Sequence, residues 1–111
     1  MIEKIILSYL KDKSLNVYME MPKNPPQSFV VLEKTGSRKL NHINTATIAI
    51  QSYGSTMLKA AELNDKIKKY LDDIIQLDNI ANVELQGDYN FTDTSTKRYR
   101  YQAVYDFVYY E

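Results

Sequence analysis

The segment KRYRYQAVYDFVYY, residues 97–110, constrains the fold more than any other stretch of the chain. Successive side chains of an extended strand point to opposite faces. Tyr99, Tyr101, Ala103, Tyr105, Phe107 and Tyr109 therefore share one face, and Arg98, Arg100, Gln102, Val104, Asp106, Val108 and Tyr110 share the other. An unbroken aromatic row needs a covering layer, against which the rings pack with their hydroxyls at the rim. Two functional readings compete with this structural one. Tyr99 beside basic residues could stack bases, as aromatics on RNA-binding sheets do, or the row could form a subunit interface. Thirteen residues at about 3.3 Å each would run to about 43 Å, against the usual strand of about 5 to 6 residues. The first half of the strand, with Arg98 and Arg100, is thus expected to project beyond the sheet.

The cover for that row lies upstream. Between residues 56 and 75, Ala60, Leu63, Ile67, Tyr70, Leu71 and Ile74 fall on one helical stripe, with Lys59, Glu62, Lys66, Lys69 and Asp73 opposite. Gly54 followed by Ser55 reads as a break and an N-cap. A second, shorter helix is predicted at the start, where Ile2, Ile5, Ile6, Tyr9 and Leu10 follow the same spacing. Between the helices, residues 17–21 form a short strand ended by the prolines of PKNPP, which cannot donate to a sheet ladder. Residues 28–35, SFVVLEKT, form a strand covered on both faces at its centre. Residues 36–44, GSRKLNHIN, read as a polar loop opened by Gly36, and 45–53 resume as a strand. Residues 80–89 form a further strand, the polar TDTSTK turns the chain, and the aromatic strand closes it. The expected fold is α+β: one domain over residues 1–111, a mixed, mostly antiparallel sheet of about five strands packed by two helices, in the order α-β-β-β-α-β-β.

A chain of 111 residues is long enough for one core, burying about two-thirds of the surface its unfolded form exposes. Fourteen basic residues balance fourteen acidic ones, so the whole molecule has no general attraction for nucleic acid or anionic membrane. Any polyanion contact must be local. With no cysteine there is no disulfide and no thiolate ligand, which fits a reducing compartment. No apolar run approaches the roughly 20 residues of a membrane span, and MIEKIILSYLKDK lacks a signal-peptide cleavage site, so the sequence reads as a cytosolic product with no membrane partner.

Catalytic constellations are not evident. His42 is the only histidine, and its spacing from Ser37, Ser52 or Ser55 supports no nucleophile and base pair. Asp72 and Asp73 are neighbours on a solvent-facing helix, and DYNFTD lacks the glycine and closing glutamate of a calcium loop. TGSRK has glycine and basic residues without phosphate-loop spacing. The expectation is no enzyme, no catalytic residue, no metal and no cofactor. Two basic clusters remain, Lys34, Arg38 and Lys39 around one connection and Lys97, Arg98 and Arg100 beside another. Their ordinary role is solvated charge, yet connections between strands are also where function concentrates.

Two segments carry a family resemblance. ATIAIQSYGSTMLKAAELNDKI, residues 46–67, resembles the strand, Tyr-Gly/Ala-Ser turn and alanine-bearing helix of the tail terminator (tail completion, head-tail joining) proteins of long-tailed bacteriophages. DYNFTDTSTKRYRYQAVYDFVYY, residues 88–110, resembles the closing hairpin of the same family. Length and element order match over essentially the whole chain. The resemblance implies a structural virion protein of the tail and neck, assembled in the host cytoplasm. Such a subunit forms a homo-hexameric ring in the assembled tail, with a monomer in isolation as an allowed state. The ring caps the tail tube, stops its polymerisation and docks the head-completion or connector protein, and DNA passes through its lumen without sequence specificity. Under that reading Tyr89, Phe91 and Tyr99 are the candidate ring or partner interface. Arg38, Lys39, Lys97, Arg98 and Arg100 are the candidate lumen-facing or partner-facing basic residues, and of these Arg38, Lys39, Lys97 and Arg100 are expected to contribute little to the fold. The alternatives are a head-closure or connector neck protein and a small single-stranded nucleic-acid-binding module, the latter requiring exposed Tyr99 and Tyr101.

Overall fold

Ile2, Ile6 and Leu10 recur at helical spacing and are wholly buried along one side of α1 (Ile2–Lys11). Ala60, Asn64, Ile67 and Leu71 do the same for α2 (Met57–Asp72), which a short 3₁₀ turn (Ile74–Gln76) extends. Both helices lie on one face of a five-stranded sheet of β1 (Val17–Tyr18), β2 (Phe29–Leu40), β3 (Ile43–Gly54), β4 (Ile80–Asn90) and β5 (Tyr99–Tyr109), in the spatial order β1-β2-β3-β5-β4. β1 runs parallel to β2, and every other pairing is antiparallel. This computed structural model describes residues 1–96 and 98–110. The α+β class, the two helices and the five-stranded mixed sheet are those expected from the sequence.

The aromatic row of β5 is a wall of the core. Ala103, Tyr105, Phe107 and Tyr109 are buried and share the helix-covered face with Ala46, Ile48 and Ile50 of β3 and Val30 and Leu32 of β2. β5 does not project from the sheet, because it is paired with β3 along its whole length, from Tyr99 opposite Gly54 to Tyr109 opposite Asn44. The Tyr9 hydroxyl donates to the Tyr70 carbonyl at 2.7 Å and ties α1 to α2.

Three local expectations are corrected. Residues 36–44 are no loop: β2 continues to Leu40, turns through Asn41 and His42, and returns as β3 from Ile43. Both turn residues have positive φ, 52° and 67°, the backbone of a two-residue type I′ hairpin, which asparagine and histidine tolerate better than most side chains. Gly36 stands within β2 beside a bulge, and a Cβ there would meet nothing within 4 Å. The helix cap is Thr56, whose side chain accepts the Lys59 N–H at 3.1 Å, and not Ser55. Gly54 has a steric reason instead. A Cβ there would lie 2.5 Å from the Ala60 nitrogen, so glycine lets the end of β3 touch the first turn of α2.

Because Ile67 is fully buried and Lys66 exposed, Ile67→Asp should abolish soluble folding, whereas Lys66→Asp should stay within about 0.5 kcal/mol of the parent. Gly54→Ala should cost about 1–3 kcal/mol through backbone overpacking. Urea and thermal melts check all three, and equal losses at positions 66 and 67 would contradict the helix phase.

Candidate functional site

Among the described residues no helix lies over the sheet face turned away from α1 and α2, and a band of side chains crosses it from β1 to β4. Tyr18 meets Phe29 edge-on at 6.2 Å, and Phe29 stacks on Tyr53 at 4.5 Å with the planes 3° apart. The Arg100 guanidinium then bridges two aromatics. Its Nη1 donates to the Tyr53 hydroxyl at 2.9 Å, its Nε donates to the Phe91 carbonyl at 2.6 Å, and its carbon sits 4.4 Å from the Phe91 ring centre. Phe91 meets Tyr89 edge-on at 5.8 Å. Gln102 donates to the Tyr89 hydroxyl at 2.6 Å and accepts from Gln51 at 3.0 Å. The planar fork of arginine suits this combination of hydrogen bonds and ring contact, which lysine could not reproduce.

Burial divides the band. Phe29 and Tyr53 are buried, whereas Tyr89 and Phe91 remain 43% and 42% exposed. Two accessible rings therefore stand together near the outer edge of β4. Tyr99 does not join them. It is half-buried and lies on the helix-covered side, in the row of Gly54, Tyr101 and Ala103. The separation has a local cause: an irregularity between Leu85 and Gly87 shifts the alternation of β4 and brings Tyr89 into register with Gln102 on the uncovered face.

The basic residues fall into different settings. Arg38 and Lys39 are exposed near the free end of the β2–β3 hairpin, level with Val108 and Tyr109 of β5. Arg98 is exposed at an isolated bridge to Asp93, its Nη1 3.4 Å from the Met21 sulfur. Arg100 belongs to the aromatic band, so it contributes to the fold more than a solvated charge would. Nine residues of β5 separate the Arg100 level from that of Lys39, about 30 Å at strand rise, so the candidate basic residues among the described ones do not form one patch. Lys97 lies outside the described residues. His42 occupies the hairpin tip, about 30 Å along β3 from Ser52.

Sequence reasoning missed a polar cluster between α2 and β4. Asn64, at 2% exposure, occupies the buried stripe and donates to Asp88 at 2.7 Å, and Lys68 donates to the other Asp88 oxygen and pairs with Asp65 at 3.3 Å. Burial raises the Asp88 pKa, but the bonds from Lys68 and Asn64 with the Lys68 charge outweigh it and leave the carboxyl below its ordinary range. The bond to Asp88 raises the Lys68 pKa despite burial. Tyr105 beneath them is pushed up to about 12, first by burial and then by Asp72. With both Asp88 oxygens occupied, the cluster fastens α2 to β4. An apolar-to-polar interruption of the helical stripe at Asn64 was the available signal.

Two strand edges complete the surface. β1 covers the outer edge of β2 only at Val30 and Val31, and residues 33–43 are exposed without interruption. On the other side, β4 is the last strand of the sheet. No protein-family model matches the chain, and no curated protein matches it. The geometry defines a small α+β domain with one helix-covered face, one aromatic-braced face and two unlike open edges.

Replacing Arg100 with Ser should lower stability by about 1–3 kcal/mol, since it leaves the Tyr53 hydroxyl and the Phe91 carbonyl without their charged donor. Arg38→Ser with Lys39→Ser should change it by less than about 0.5 kcal/mol. Chemical denaturation of the two variants checks this, and an equal effect would contradict the assigned role of Arg100.

Proposed function

We propose that this chain is a structural subunit of the bacteriophage neck, a ring-forming tail terminator that caps the tail tube and presents a surface to the head connector. The observation that carries the reading is the pair of unlike open edges on a single small sheet. A closed ring needs a heterologous contact, in which one patch meets a different patch on the next subunit and the rotation closes. Opposite edges of one sheet are two such patches, and the eleven exposed residues 33–43 bury little within the subunit.

The resemblance of residues 46–67 and 88–110 to tail terminators supports the same reading, and the α-β-β-β-α-β-β order agrees with it. A ring also changes the meaning of the separated basic residues, because Arg38 and Lys39 would be repeated in a circle where phosphate neutralisation adds salt-dependent attraction for DNA. The partners of the assembled state are the chain itself, the tail tube protein, the connector and DNA in the lumen. The nucleic-acid-binding alternative is less well supported, since Tyr99 and Tyr101 are only half-exposed and turned to the helix-covered side.

Six subunits of 12.9 kDa give a particle of about 77 kDa. Added to polymerising tail-tube protein, the chain should halt elongation and place a ring at one end of each tube, as seen by negative-stain electron microscopy. Tubes of the same length distribution with and without the chain, bearing no terminal ring, would contradict the proposal.

A further inference from the structure

The register across the sheet places its two open edges at the same height. Following the pairings from β2 through β3 and β5 to β4, Lys39 shares a row with Ile80, Arg38 with Asn82, Ser37 with Val83 and Gly36 with Glu84. Three of these rows, from Gly36 with Glu84 to Arg38 with Asn82, lie in regular parts of both outer strands. The irregularity of β2 falls between Lys34 and Gly36, and those of β4 fall between Ile80 and Asn82 and between Leu85 and Gly87. Residues 36–40 and 82–85 are therefore uninterrupted edges facing away from each other. A subunit placed beside the first by rotation about an axis along the strands would bring them together without a shift in height.

The edges also differ in charge. Arg38 and Glu84 lie on the same, uncovered face of the sheet, two rows apart, and neither has an ion-pair partner among the described residues. Within one subunit they are three strand spacings apart, about 14 Å, too far to pair. Across a subunit boundary they become diagonal neighbours on adjacent antiparallel strands, a separation of about 7–8 Å that an arginine side chain spans. A two-fold contact of β2 with β2 centred on Arg38, or of β4 with β4 centred on Glu84, would instead set like charges against each other.

We propose that the outer edge of β2 in one copy of this chain adds antiparallel to the outer edge of β4 in the next copy, with Arg38 diagonal to Glu84. The sheet then continues from subunit to subunit through backbone hydrogen bonds. The ion pair fixes its register, and the bulges confine it to a few residues. The contact rests on the reading of the chain as a ring-forming subunit and supplies the head-to-tail interface which that reading requires.

A chain without cysteine allows a direct test. In the variant Arg38→Cys with Asn82→Cys, oxidation at high concentration should give a covalent ladder of dimer, trimer and larger species on non-reducing gels, whereas either single substitution should stop at dimer. In light scattering, Arg38→Glu and Glu84→Arg should each raise the concentration needed for assembly by at least about tenfold, and the two combined in one chain should restore it. Particles of ring mass without a ladder, or single charge reversals that assemble like the parent, would overturn the edge contact and leave the ring reading standing. Absence of both ladder and multimers would overturn the edge contact, whereas the ring reading, which allows a monomer in isolation, falls only with the tube-capping result.

Discussion

The structure depends on one apolar layer, in which α2 packs on the inward rows of β3 and β5 and α1 packs on β1 and β2. Ile2, Ile6, Leu10, Ile67, Leu71 and Ile74 share one buried cluster with Val30, Leu32, Ala46, Ile48, Ile50, Ala103, Tyr105 and Phe107, nearly all wholly buried. Each large side chain in such a layer contributes about 1.5–3 kcal/mol by leaving water. With no disulfide, this packing carries most of the fold. It also fixes the sidedness of everything else. Once the odd-numbered residues of β5 face the helices, Arg100, Gln102, Val104 and Asp106 must face outward.

The outward face consequently needed another means of order, and it has one in the band centred on Arg100. Phe29, Val31 and Tyr53 form a small second core on that side, with Tyr18 packed against it. The guanidinium links this cluster to Phe91 and, through it, to Tyr89. Five strands are joined in this way across a surface that helices leave bare, while the outer half of β2, paired with β3 on one side, has no strand along its other edge among the described residues. The central strands are thus paired on both sides, and the two edges are open to pairing with another strand.

Much of this was legible in the sequence because burial imposes a period. The alternation of residues 99–109 located a half-buried strand, the helical stripe located α2, and the apolar run at residues 29–32 located a strand covered on both sides. Residues 36–44 escaped for the complementary reason. A strand exposed on both faces has no alternation to read, and its turn, Asn41-His42, lacks the glycine that usually marks a tight hairpin. The candidate interface was half legible. Tyr89 and Phe91 do stand together and exposed, but the bulge near Gln86 sets their face opposite to that of Tyr99, and bulges leave little trace in a single sequence. Arg100 looked like loop charge because its partners, Tyr53 and the Phe91 carbonyl, are brought to it by pairings invisible at the level of local pattern.

The central claim is that, in the proposed assembly, the open edges at residues 36–40 and 82–85 pair with another copy. Amide hydrogen exchange measured on the monomer and on the assembled particle tests it most directly, because edge amides without partners exchange through water and become protected when a neighbouring strand pairs with them. The account predicts new protection in those two stretches together, with α1, α2, β3 and β5 unchanged. New protection confined to the helices, or to Tyr89 and Phe91 with both edges still exchanging freely, would contradict it.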